Sequence, residues 1–366
     1  MDIKQAISLI VDREDLSRAD METVMRQIMT GGATPIQIGG FLAGLRAKGE
    51  TVDEITAAAQ VMRELAARVE VDKRHLVDTC GTGGDNKSLF NVSTAAAFVV
   101  AAAGGRVAKH GNRAMSGSSG SADVLEAMGV NLEVEPADVG RCIDTVGLGF
   151  MYAPAHHSAA RYAAAPRREL GTRTLFNLLG PLTNPAGAPN QLLGVFAPRW
   201  AEPVAKVLRA LGSEHVLVIH SHDGLDEISI AAPTQVTELA DGQIRSYRIA
   251  PEDFGLQRQP LTGVIAASAA ESLALVEQAL AGRPGAARDM VMLNAGAAIY
   301  AAGVADTLSA GVDRALDAIV SGAAAAKVEE LKAMTADLSP LPQGEGQGEG
   351  DSITPPIPTF SLREKE

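Results

Sequence analysis

The chain has 366 residues, with 32 Lys and Arg against 44 Asp and Glu, a formal net charge of −12, 46% hydrophobic residues and only 4% aromatic ones. That balance argues against a nucleic-acid binder, because phosphate backbones are held mainly by Lys and Arg. It also lacks an unbroken apolar run of the ~20 residues that a membrane span needs. Cys80 and Cys142 give no disulfide framework, and the amino-terminal MDIKQAISLIVDRED has charges inside its apolar run where a signal peptide has none. A cytoplasmic globular protein, of one large or two ordinary domains, is the expectation.

The first seventy residues are punctuated as helices. Ser17…Asp20, Thr34…Gln37 and Thr51…Glu54 each place an acid or amide three positions after a cap residue, which is the capping-box spacing. Pro35 stands at a first helical position, where its missing N–H costs nothing. Ile36, Phe41, Leu42 and Leu45 follow at helical intervals. A small helical domain over 1–71 results. From residue 72 short apolar runs alternate with helical stretches: strands at 75–80, 106–110, 148–152, 192–196 and 215–220, and helices at 94–103, 121–128, 137–145 and 202–211. This order predicts an α/β architecture, in which a larger domain (72–337) has a mostly parallel central sheet flanked by helices. Asp241-Gly242 between two strand-like runs is a hairpin signal, and Ser268…Glu271 opens a later helix. The Gln-Gly-Glu-Gly repeats and prolines of 338–366 offer too little apolar surface to offset ordering entropy, so a disordered tail is expected there.

The densest chemistry lies in DTCGTGGDNKSLFNVST, residues 78–94. Strand, glycine turn and helix start follow one another, an order that builds an anion site from backbone N–H groups and a helix amino end. Ser93 and Thr94 add hydroxyls where caps and phosphate ligands both sit. Asp85 beside such a cradle needs a metal or a sugar hydroxyl. The alternative is a tight turn before an ordinary capped helix. A second block, Lys109 to Ser121, repeats the strand, glycine–serine loop and helix start, with Lys109 and Arg113 supplying charge. Ligands in α/β sheets bind outside the carboxyl ends of strands, so two cradles there suggest one ligand with phosphates at both ends. Asp226 and Glu227, after the strand 215–220, suit Mg²⁺ that bridges phosphates. The stretch 152–171 brings His156, His157, Tyr162, Arg167 and Arg168. An arginine fork there matches a carboxylate, though either arginine also reads as an ordinary salt-bridge partner, and periodicity does not choose.

GTGGD at 81–85, FNVST at 90–94, KHGNRAMSG at 109–117, GSADVLEAMGV at 120–130, RRELGTRTLFNLLGPLTNP at 167–185 and DGLDEIS at 223–229 together resemble the anthranilate phosphoribosyltransferase family. This is the tryptophan-pathway branch of the fold shared with pyrimidine nucleoside phosphorylases, and the resemblance runs from about residue 3 to 336. It implies that Gly81, Gly84, Asp85, Leu89, Asn91, Val92, Ser93 and Thr94 hold phosphoribosyl pyrophosphate. Lys109, His110, Gly111, Asn112, Arg113, Ala114, Met115, Ser116, Gly117 and Ser121 are expected to hold it from the other side. It further implies Mg²⁺ at Ser93, Asp226 and Glu227, and anthranilate at Gly81, Asn112 and Arg167 with His110 and Tyr162 as second contacts. A homodimer through the helical domain, to which helices from about 160–185 are joined, is implied as well. No residue is nominated as a general base. Two positions depart from the pattern: Asn86 stands where relatives carry glycine, and Leu89 where they carry threonine, so Ser88 or the Leu89 backbone takes over any contact there. A nucleoside phosphorylase is the first rival, against which KHGNR tells. A nucleic-acid-binding relative is the second, against which the charge tells.

Overall fold

The computed structural model describes residues 1–83, 87–114, 119–336 and 338. Of the expected donor-binding residues, Gly84, Asp85, Met115, Ser116 and Gly117 lie outside the described residues, as does the expected tail beyond Leu338.

Four helices open the chain: α1 (Ile3–Val11), α2 (Arg18–Met29), α3 (Pro35–Lys48) and α4 (Val52–Leu65). Thr34 with Gln37 and Thr51 with Glu54 form reciprocal capping boxes, and Ser17 caps through the Asp20 N–H. Asp2 and Gln5 form a further box, at a spacing the sequence reading passed over. Later elements are β1 (Leu76–Gly81), α5 (Val92–Ala102), β2 (Arg106–Gly111), α6 (Ser121–Ala127), α7 (Pro136–Val146), β3 (Leu148–Tyr152), α8 (Ala153–His156), α9 (Arg161–Leu170) and α10 (Phe176–Leu182). They are followed by β4 (Asn190–Gly194), α11 (Ala201–Ala210), β5 (His215–Ser221), β6 (Thr234–Ala240), β7 (Gln243–Ile249), α12 (Ala269–Leu280), α13 (Ala286–Ala301), α14 (Leu308–Val320) and α15 (Ala323–Ala336).

Among the described residues the strands form one seven-stranded sheet in the order β3-β2-β1-β4-β5-β6-β7. The five strands from β3 to β5 are parallel, and β6 and β7 close one edge as an antiparallel hairpin. The hairpin turn is Asp241-Gly242, both with positive φ (50° and 72°), the backbone that a two-residue turn between right-twisted strands requires. Gly81 pairs with Gly194, Gly194 with Ile219, and Gly111 with Tyr152, so the parallel strands end nearly level. One face of the sheet is covered by α5, α13 and their neighbours. The other carries a continuous core that runs from β4 and β5 through α11 into α1–α4, with α9 packed on α2 and α3 and α10 on α4.

Among the boundaries that differ from the sequence reading, three have a visible cause. β1 starts at Leu76 because His75 has φ 55° and is turned out of the extended region. β4 starts two residues early because two amides are satisfied inside the sheet: Asn190 donates to Leu76 O (3.0 Å) and Gln191 to Pro181 O (2.7 Å). α5 starts at Val92, capped in position by Asn91, so Ser93 and Thr94 lie within its first turn rather than before it. Leu338, assigned to the tail, packs on the core beside α15.

Candidate active site

Because the parallel strands end level, the connections that leave β1, β2 and β5 emerge along one edge. Those connections carry the three clusters singled out in the sequence, and the structure locks them together. The Gly83 N–H donates to Asp226 Oδ2 at 2.9 Å, which joins the first glycine turn to the acidic turn after β5. Two glycines make that seat. A Cβ added at Gly81 would stand 2.5 Å from Asp226 Oδ2, and one at Gly194 would stand 2.9 Å from Asp226 Cβ and closer still to its backbone carbonyl. A glycine inside a strand often marks such a close approach, and that was the signal that could have marked Gly194, which the sequence reading did not single out.

Lys109, only 2% exposed, leaves the end of β2 and reaches under the amino end of α5. Its Nζ donates to Thr79 O (2.6 Å) and to Ser93 Oγ (3.2 Å). Burial lowers its pKa, against the attraction of Asp78, Cys80 and Glu227, which places the Glu227 carboxylate in the same electrostatic neighbourhood. Ser93, Asp226 and Glu227, the residues expected to hold Mg²⁺, carry oxygen donors of the hard kind that this ion prefers. The second loop is tied down on both sides. Asp123 Oδ2 accepts from the Ala114 N–H (2.9 Å) and the Gly120 N–H (2.7 Å), so the loop's two ends meet. Ser119 Oγ donates to Asn91 Oδ1 at 2.7 Å, and this joins the second loop to the first. Gly111 lets Ser121 lie against the strand end, since a Cβ there would collide with Ser121 Oγ and Phe150.

Arg113 does not stand open to a ligand here. Its guanidinium holds Glu126 in a two-pronged pair (2.5 and 2.7 Å) and lies 5.8 Å from the Tyr152 ring. Leu89 stands opposite Ile265 in an isolated bridge whose hydrogen bonds are made by its neighbours: the Phe90 N–H donates to Val264 O (3.0 Å) and the Ala266 N–H to Ser88 O (2.8 Å). Arg167 is half-buried, its guanidinium 5.0 Å from the centre of the Phe176 ring, and among the described residues it has no ion pair. Burial lowers its pKa. Tyr162 packs on Gly31 and takes a hydrogen bond from Arg161 (3.0 Å).

Behind the strand ends lies a layer of polar residues, of which the sequence reading gave Asp78 and Asn184 no role. Asp78 is buried in β1, where burial raises its pKa to about 6 against the hydrogen bond from Asn184 Nδ2 (2.7 Å). Asn184 also donates to Ala108 O (2.8 Å), pinning the segment after α10 across β1 and β2. An acid in the middle of an apolar strand run was the available sign. His110 and His157 are buried with ring centres 5.0 Å apart. Burial, then the His157 ring, holds the His110 pKa at about 3, and burial, then the His156 ring, holds that of His157 at about 4, so both rings are neutral near pH 7. A cleft of about 700 Å³ opens at the opposite end of the sheet, near Lys73, His75, His215, Arg245 and Tyr300. It contains none of the motif residues, and Arg245 and His215 are already paired with Glu238 there.

Residues 73–325 match the model of the glycosyl transferase family a/b domain, and residues 4–66 match that of the family's helical bundle domain. An anthranilate phosphoribosyltransferase of Thioalkalivibrio sulfidiphilus is 62% identical over 336 residues, which cover 92% of this chain and 99% of that one. The chain belongs to the anthranilate phosphoribosyltransferase family. Among solved members, the Thermus thermophilus anthranilate phosphoribosyltransferase is 44% identical with a TM-score of 0.86, covering 90% of this chain and 99% of that one. The fold is also that of the Saccharomyces cerevisiae family member solved in complex with PRPP and Mg, at 24% identity and a TM-score of 0.83 over 92% of this chain and 98% of that one. Membership accounts for the order of the glycine turn, the KHGNR loop and the acidic turn along the chain.

Proposed function

We propose that the chain transfers the phosphoribosyl group of 5-phospho-α-D-ribose 1-diphosphate to the amino group of anthranilate. The products are N-(5-phosphoribosyl)anthranilate and diphosphate, a step of tryptophan biosynthesis. The observation that carries this reading is the identity of about 60% over nearly the full length of family members, met by three interlocked loops at one sheet edge. The nucleoside phosphorylase and nucleic-acid readings gain no support from these relatives.

In the proposed arrangement the donor lies between the 81–94 turn and the 109–121 loop. Amides at the start of α5, Ser93 and the Lys109 region face its anionic groups. Ser93, Asp226 and Glu227 hold Mg²⁺, which when bound supplies positive charge beside the departing diphosphate. Arg167, its guanidinium over the Phe176 ring and without an ion pair among the described residues, takes the anthranilate carboxylate. An aryl amine attacks C1 without a strong base, so the residues act by placement, and placement of this kind contributes roughly 7–11 kcal/mol to lowering a barrier. The neutral His110 and His157 rings fit that account, because neither adds a charge that would oppose the positive charge developing on the attacking amine or attract the carboxylate elsewhere.

The division proposed is a helical part, 1–71 joined by 160–185, and a donor-binding part, 72–337; the packing of α9 on α3 supports it. A homodimer through the helical part is also proposed. Ile36 is 88% exposed, and Gly40, Ala43 and Ala47 continue its face of α3 as an exposed row of small residues. Light scattering at twice the chain mass, reduced to one by Ile36→Glu, tests this. The proposed place of action is the cytoplasm, where Cys80 and Cys142 stay reduced, as they are here; no helix among the described residues is long and apolar enough to cross a membrane. The activity itself is tested by following anthranilate fluorescence with phosphoribosyl pyrophosphate, with and without Mg²⁺. Loss of fluorescence only when donor and metal are both present is expected, and no loss under any condition refutes the reading.

A further inference from the structure

The amino end of α5 is built in an unusual way. Asn91 stands at its cap position, and asparagine is among the best capping residues, yet its side chain bonds to none of the helix's own N–H groups. At α1, α2, α3, α4, α12 and α14 the cap side chain does make that bond. The Asn91 carbonyl oxygen is occupied elsewhere: it accepts from Ser119 Oγ and from Ser272 Oγ, each at 2.7 Å. The Asn91 N–H in turn donates to Ser272 Oγ at 2.9 Å. In consequence the Ser93 and Thr94 N–H groups have no acceptor among the described residues. Nor has Thr94 Oγ1, although Thr94 is only 1% exposed. Unspent donors at a helix amino end favour an anion.

We propose that Ser272 is a positioning residue: from its buried place on α12 it holds the Asn91 side chain off the amino end of α5, and so leaves the first-turn amides uncapped for the diphosphate of the donor. The proposal rests on the donor-binding reading above. Ser119 shares the grip on Asn91, but it belongs to the second loop, whereas Ser272 is fixed in a helix packed on α5. Without the Ser272 hydroxyl, Asn91 Oδ1 is held by Ser119 alone and turns back more readily onto its own helix, where it competes with the diphosphate.

The test is a double-mutant cycle of Ser272→Ala and Asn91→Ala, read as the KM for phosphoribosyl pyrophosphate, the KM for anthranilate and kcat at saturating Mg²⁺, with donor affinity measured by calorimetry. Ser272→Ala removes one oxygen and leaves the packing of α12 intact. It is expected to raise the donor KM about five-fold, the worth of one side-chain cap, with kcat and the anthranilate KM unchanged. In the Asn91→Ala background no side chain remains to turn back and only the backbone N–H of residue 91 still reaches Ser272 Oγ, so Ser272→Ala should raise the donor KM clearly less than in the wild-type background. A wild-type donor KM in Ser272→Ala overturns the proposal, as does an equal loss in the Asn91→Ala background or a parallel change in both substrates. If the wild-type protein itself fails to bind the donor in the calorimeter, the site reading falls and this inference with it; if it binds and Ser272→Ala binds equally well, only this inference falls.

Discussion

Gly194→Ala is a sharp probe of the way the site is held together, because it adds one methyl group at a residue that has no proposed contact with substrate itself. The new Cβ would lie 2.5 Å from the Asp226 carbonyl carbon and 2.9 Å from its Cβ, with the carbonyl oxygen closer still. All three have to retreat past 3.0 Å, so the turn must shift by more than about 1 Å. β4 cannot yield instead, since it is hydrogen-bonded on both sides to β1 and β5. The Asp226 carboxylate then leaves the Gly83 N–H, and Asp226 and Glu227 leave the place from which they would hold metal. Misplacement on that scale costs about 10²-fold in turnover, while overpacking costs roughly 1–3 kcal/mol in stability. The assay is steady-state turnover titrated with Mg²⁺, alongside chemical denaturation. The expected result is a loss of about 10²-fold with a raised metal requirement and a nearly unchanged KM for anthranilate. A Gly194→Ala protein with wild-type turnover and metal response would refute the reasoning, because the seat of Asp226 would then not matter.

Arg167→Ala should weaken anthranilate by roughly 10- to 100-fold, the worth of a charge-assisted fork on a carboxylate, with the donor KM little changed; an unaltered anthranilate dependence removes Arg167 from the site. Asp226→Asn combined with Glu227→Gln should blunt the response of turnover to Mg²⁺, and a double variant with the wild-type metal titration contradicts the donor set. Burial holds His110 and His157 at about 3 and about 4, below the ordinary ~6.5, so the unfolded chain takes up protons that the folded one refuses as pH falls below 6.5. Each ring therefore removes up to ~1.4 kcal/mol of stability per pH unit on acidification towards pH 4. Asp78, raised to about 6 by burial, works the other way and offsets one ring between pH 6 and 4. Denaturation midpoints should fall between pH 6.5 and 5, more gently in His157→Gln, and a flat profile in the wild-type protein counts against neutral buried rings. Deleting 339–366 should leave turnover intact, and a large loss would show that the tail takes part in the structure.

The strand-and-helix alternation was legible because apolar runs and cap residues are local signals, and the glycine turn, the basic loop and the acidic pair were legible because each is contiguous. What the sequence did not reveal is how distant residues meet. Ser272 lies 181 positions from Asn91, and nothing in its neighbourhood marks it as a partner of the first loop. Asn184 is 106 positions from the Asp78 it supports. The early start of β4 escaped notice because Asn190 and Gln191 look like loop residues until their amides find carbonyls inside the sheet. Arg113, read as a free charge, turned out to be held by Glu126 one helix away, a pairing that spacing alone does not distinguish from an open anion site.

The account stands or falls on whether the 81–94 turn, the 109–121 loop and the 223–229 turn enclose one and the same molecule. A crystal structure with phosphoribosyl pyrophosphate and Mg²⁺ measures this directly. The predicted result is a donor whose diphosphate meets the α5 amino end, with the metal against Asp226 and Glu227; a donor bound in the cleft near His215 and Tyr300, or in contact with only one of the three segments, would contradict it.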